Sequence, residues 1–102
     1  MLYIKTYATE KGSMLAMCDE KLIGKVIEEG DIVIDLDSYA DFYKGDLVDV
    51  ELAKERINKL KIHTANIIGD ESVGILIEEG IVKKGDVGVV AGVPYVHIYR
   101  ID

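Results

Sequence analysis

A thiol, Cys18, stands beside two carboxylates, Asp19 and Glu20, and the chain offers two imidazoles, His63 and His97. These are the residue types of a thiolate nucleophile with a general base, and such a nucleophile needs one of the histidines within hydrogen-bond reach. Asp19 and Glu20 work against it. Neighbouring negative charge raises a thiol pKa, and unpaired cysteines are among the residues most often enclosed inside proteins. Cys18, Asp19 and His97 are therefore the catalytic candidates, with a structural thiol as the favoured reading and a small enzyme using Cys18 as an alternative. Zinc accepts Cys18, Asp19, His63 and His97 by type, but no close CxxC or HxxxH pair fixes two ligands on one element, and no metal site is expected. Gly80, Gly85, Gly88 and Gly92 fit neither a Walker loop nor a strand-linked GxGxxG, so no nucleotide cofactor is expected either. Asp35 and Asp37 alternate with apolar neighbours and read as charge on a solvated face.

A second set of residues points to binding. Phe42 and Tyr43 precede Lys44, an aromatic pair with a cation that suits stacking on a base. Asp41 and Asp46 flank them, which favours an aromatic contact within the fold. Lys54, Arg56, Lys59 and Lys61 form the basic cluster of the chain, and Glu51 and Glu55 interleave with it to leave a compensated, solvated face. With 12 Lys and Arg against 19 Asp and Glu, the formal net charge is −7. A surface of that sign repels phosphate backbones, so a protein is the favoured partner and RNA, through the Lys54 to Lys61 face, the disfavoured one.

One domain over residues 1–102 is expected to carry these side chains. At 49% hydrophobic and 30% charged residues, the chain falls in the single-domain range and can build its own core. A lone cysteine rules out an internal disulfide and fits a reducing compartment. No apolar run approaches the ~20 residues of a membrane span, and residues 1–7 read as a strand rather than a signal peptide. A cytoplasmic protein with no membrane partner is expected.

Alternation over residues 2–7, turn chemistry at Glu10-Lys11-Gly12-Ser13 and the apolar Met14-Leu15-Ala16-Met17 predict an N-terminal hairpin. Asp19 suits the cap of a helix over 20–29 that Gly30 would end. Residues 31–37 alternate as a strand, with Ile32, Ile34 and Leu36 on one face and Val33 among acids on the other. An aromatic turn over 39–45 leads to the clearest helix, 49–60, whose stripe is Val50, Ala53, Ile57 and Leu60. A buried strand over 62–68 follows, then a helix over 71–79 capped by Asp70, and strands over 86–90 and 95–101 with Pro94 at a strand start or edge. His63 and His97 point opposite their strand neighbours, onto a wet sheet face. Residues 24–30 and 74–80 echo one another, but their flanks differ, and two similar glycine-stopped helix ends are preferred to duplication. The order is α+β: a single domain with a mixed or antiparallel sheet of five or six strands and two or three helices.

Read together, Cys18-Asp19 with Leu22-Ile23-Gly24, Phe42-Tyr43-Lys44-Gly45, Ala65-Asn66-Ile67-Ile68-Gly69 and Gly92-Val93-Pro94 form an ordered set over nearly the whole chain. In that set the chain resembles the archaeal domain of unknown function 424 family. The resemblance implies a compact archaeal cytoplasmic domain with no established reaction, and it adds Asn66 and Tyr95 to Phe42, Tyr43 and Lys44 as binding candidates. A histidine tends to follow the proline in that family, whereas this chain has Tyr95 there and His97 two residues on. A non-catalytic binding or adaptor module is the leading functional expectation.

Overall fold

Alternating β-formers close the expected hairpin: Leu2–Thr9 (β1) pairs antiparallel with Gly12–Asp19 (β2) in the computed structural model, which describes residues 1–99. β2 is apolar on both faces, with Leu15 and Met17 on one and Met14, Ala16 and Cys18 on the other, the pattern of a strand covered on both sides. Two further strand pairs, one edge strand and one central strand complete the set: Val26–Glu29 (β3) with Ile32–Asp35 (β4), Gly88–Val90 (β7) with Val93–Tyr99 (β8), the edge strand Asp46–Val48 (β5) and the central strand Ile62–Ile68 (β6). Six strands form one sheet in the order β5-β1-β2-β6-β8-β7, in which β2 and β6 run parallel and every other neighbour is antiparallel. β3 and β4 form a separate two-stranded sheet.

Helices lie on both faces. Val50–Ile57 (α2) and Asp70–Glu78 (α3) cover the face that carries Leu2, Leu15, Met17, Ala65, Ile67 and Val96, and bury Ala53, Ile57, Val73 and Leu76 there. α2 starts where the Asp49 carboxylate accepts the Leu52 N–H at 2.8 Å. The opposite face carries Cys18, Ile68 and Tyr95 and is covered by Leu22, Ile27 and Leu36 of the β3–β4 region, together with Tyr43 of the four-residue helix Ala40–Tyr43 (α1). The result is the expected α+β domain, its mixed sheet of six strands joined by a hairpin and three helices.

Four local expectations are corrected. Residues 20–29 hold one 3-10 turn, Glu20–Leu22, and then β3, instead of a helix. The β-branched Val26 and Ile27 lose rotamer freedom in a helix, while Gly30-Asp31 is a two-residue turn that lets β3 pair with β4. Residues 74–78 are helical where residues 26–29 are strand, so the sequence echo is not two similar helix ends, and it is not a repeated unit either. β5 was not anticipated from its three residues. Asp70 is not the cap of α3, because Gly69 occupies that position. The last strand was expected over 95–101; β8 spans Val93–Tyr99, and residues 100 and 101 lie outside the described residues.

Candidate functional site

Cys18 and Asp19 end β2 and, as strand neighbours, turn to opposite faces of the sheet. Cys18 is fully buried in the cluster with Leu22, Ile27, Leu36 and Ile68, and its Sγ donates to the Asp19 carbonyl at 3.4 Å. Burial, and then the charge of Asp19, push the thiol up to about 12. It stays protonated and enclosed. Asp19 is equally buried, and its carboxylate accepts from the Glu71 N–H at 3.0 Å, the Ser72 N–H at 2.9 Å and the Ser72 hydroxyl at 2.8 Å. These N–H groups are among those that a helix start leaves unpaired, so Asp19 caps α3 from a distant strand and sets its charge at the positive helix end. Gly69 makes room for it. Its φ is +109°, and a Cβ there would sit within 2.6 Å of both carboxylate oxygens. Thus Cys18-Asp19 and Gly69, two of the sequence motifs, form one structural joint.

His97 stands apart from that joint. Tyr3, Cys18, Ile68 and Tyr95 lie in one row across the sheet, and Lys5, Ala16, Asn66 and His97 in the next. Two strand spacings and one row put His97 roughly 12 Å from Cys18 at the Cα atoms. His97 is exposed, as the strand reading expected, while His63 is half-buried with its ring 6.3 Å from that of Tyr99.

Phe42, Tyr43, Asn66, Tyr95 and His97 do come together, around a groove. A cavity of about 530 Å³ follows residues 33–36 and is bounded by Tyr39, Phe42, Tyr43 and Asn66. Beyond Tyr43 and Asn66 lies a second cavity of about 230 Å³, bounded by Ile32, Ile34, Ile68, Tyr95 and His97. Ile34, Tyr43 and Asn66 belong to both and form the divide. α1 is tied over the sheet by the Tyr7 hydroxyl donating to the Phe42 carbonyl at 2.9 Å and the Lys5 ammonium donating to the Asp41 carbonyl at 2.8 Å. The Tyr7 and Phe42 rings stack at 5.4 Å, and Phe42 meets Tyr43 edge-on at 5.0 Å. Burial, with a smaller contribution from Cys18, pushes the Tyr43 hydroxyl up to about 12, so it remains a donor. Tyr95 lies against Gly88, where a Cβ would stand 2.5 Å from its Cζ. Lys44 is exposed at the end of α1 and does not line the groove.

The groove is apolar and open. Val33 is 56% exposed and Tyr39 66%, although both are large side chains. The Asn66 carboxamide makes no hydrogen bond among the described residues. Asp35, at the mouth, accepts from the Ser38 N–H at 2.9 Å and the Asp37 N–H at 3.1 Å, and these bonds, the one from Ser38 first, hold its carboxyl below the usual carboxylate range.

The basic cluster is engaged elsewhere. Lys54 reaches Glu78 at 2.5 Å and Glu51 at 3.9 Å, Arg56 reaches Asp46 at 2.7 Å, and Lys59 reaches Glu55 at 3.3 Å. The hydrogen bond to Glu78 raises the Lys54 pKa further. These pairs spend on carboxylates the charge that phosphates would need.

Val33 and Tyr39 are the groove residues that sequence reasoning passed over. Their signal was present: Val33 is an aliphatic side chain on the acidic face of its strand, where the core has no use for it. Asp19 was misassigned for a different reason, because its partners lie 52 and 53 residues further along the chain.

Comparison with known proteins agrees with this fold and adds no activity. A solved structure described as an uncharacterized conserved protein from Methanopyrus kandleri superposes with a TM-score of 0.80 at 21% identity, over 99% of this chain and 95% of that one. At that identity the likeness is one of fold. Among curated proteins no match is found. None of the helices of the described residues is long and apolar enough to cross a membrane. The model of a family described as "Protein of unknown function (DUF424)" matches residues 7–101, nearly the whole chain, and the protein therefore belongs to the DUF424 family.

Proposed function

We propose that this protein is a non-catalytic binding module whose site is the groove between β4, α1 and the sheet, and that it acts in the archaeal cytoplasm. One observation carries the reading: an open cavity of about 530 Å³ whose walls include Val33, Tyr39, Phe42 and Tyr43. Exposed apolar surface gathered in a recess gains free energy when a partner covers it, and a few polar groups that lack partners then set orientation. Asn66 and the Tyr43 hydroxyl are such groups. The enclosed, protonated Cys18 weighs against the rival reading of a thiol enzyme, and the paired Lys54, Arg56 and Lys59 weigh against RNA on that face.

The test is site-directed photocrosslinking in native cells, with a benzophenone side chain at position 39 on the groove or at position 55 on the outer face of α2. A discrete crosslinked product from position 39 that is absent from position 55 is expected. Identical products from both positions, or none from position 39, would overturn the reading.

A further inference from the structure

We propose that the occupant of the groove is an extended apolar segment of a protein partner, flanked by Lys or Arg, which adds as a strand to the free edge of β4. This proposal rests on the binding-module reading and narrows it to one chemistry.

The edge comes from the hairpin. With Gly30-Asp31 as a two-residue turn, the pairs Glu29–Ile32 and Ile27–Ile34 exchange the ladder hydrogen bonds, and the N–H and C=O of Val33 point away from β3. β4 pairs with β3 alone, and the Val33 backbone has no hydrogen-bond partner among the described residues. An unpaired edge of this kind is a template for an added strand. The cavity lies along it: residues 33, 34, 35 and 36 all border the recess, whereas a recess on one face of the strand would meet only alternate residues. A chain laid on the Val33 edge therefore sends alternate side chains into the recess. The carboxamide of Asn66, with two donor hydrogens and an acceptor oxygen, stands where it can meet a peptide unit of that chain.

Charge selects the flanks. Residues 26–43 contain Glu28, Glu29, Asp31, Asp35, Asp37 and Asp41 and not one Lys or Arg. Glu29 and Asp35 accept backbone N–H groups, which leaves their charge in place. A rim of one sign draws Lys and Arg, repels phosphate, and repels a second copy of the same edge.

The experiment is selection of a displayed library of random nine-residue peptides against the whole protein. The enriched peptides are then synthesised and titrated by fluorescence anisotropy against the wild type, Val33→Pro and Asn66→Ala. Proline fits an outward-pointing position of an edge strand but removes the donor, and far-UV CD checks that each variant is folded. Enriched sequences are expected to alternate apolar residues between Lys or Arg. Their binding should weaken about tenfold in Val33→Pro and severalfold in Asn66→Ala, since each lost hydrogen bond is worth roughly that factor. Binding should also fall as salt rises. Enriched peptides with apolar residues at helical spacing, or with neutral or acidic flanks, would overturn this proposal while leaving the binding module intact. Failure to enrich any peptide over a resin control would overturn both. A single-stranded RNA oligonucleotide that binds in the same assay and is displaced by Tyr39→Ala would overturn the protein partner in favour of nucleic acid.

Discussion

Without its carboxylate, Asp19 would leave the N–H groups of Glu71 and Ser72 and the Ser72 hydroxyl facing an apolar interior. Unsatisfied buried donors are costly, so Asp19→Ala should destabilise the fold by about 2–4 kcal/mol, measured by urea denaturation. Gly69→Ala should cost a comparable amount, because alanine at φ +109° is strained and its methyl overlaps the carboxylate. The two changes share one space. The double variant should therefore lose less than the sum of the singles, and strict additivity would refute the joint described for β2 and α3. Cys18 gives a second expectation at this scale. In the unfolded chain its thiol ionises near the ordinary value of 9.0, but in the fold only near 12. The stabilisation is thus complete below pH 9 and is lost as the pH climbs towards 12, since ionisation then favours the unfolded chain. Tyr43, raised from 10.0 to about 12, acts in the upper part of the same window. Urea midpoints should fall from pH 9 to 11, and less steeply in Cys18→Ala. A wild-type midpoint that stays flat over that range would contradict the enclosed thiol.

Elements with strong internal patterning are legible in the sequence itself. α2 follows its apolar stripe and its Asp49 cap, and β6 follows the run Ile62 to Ile68, because both signals lie within the segment that adopts them. The β3–β4 hairpin was half missed, since four-residue strands carry little periodicity and Val26 and Ile27 fit either state until Gly30-Asp31 is recognised as a turn. The same shortness shapes its behaviour. The hairpin is fastened to the body by Ile27 and Leu36, which pack with Cys18 and Ile68, and by the Ala91 N–H donating to the Glu29 carboxylate at 2.6 Å. Its amides should open at lower free energy than those of β2 and β6. Hydrogen exchange read by mass spectrometry should show residues 26–35 exchanging well before residues 14–18 and 64–68; equal protection would show that the hairpin is an integral part of the sheet.

At the scale of the molecule, length and apolar content were enough to expect one domain, the order of its elements to expect α+β, and the ordered motifs to suggest its family. The groove was out of reach, because it is assembled from residues 32–43, 66–68 and 95–97 by strand order that no local pattern encodes. Phe42 and Tyr43 stand out as an aromatic pair and Asn66 and Tyr95 by resemblance, and only the fold brings them onto one recess. The parallel pair at the centre of the sheet has its own consequence. Leu15 sits beside Ala65, fifty positions along the chain, and the 42 residues between the two strands carry the hairpin, α1, β5 and α2. During synthesis β1 and β2 emerge first, with one flank of β2 bare until residue 68 has left the ribosome. For that interval the most apolar strand of the molecule is an open edge, and the acidic stretch that follows it is the first part of the nascent chain able to keep neighbouring copies away.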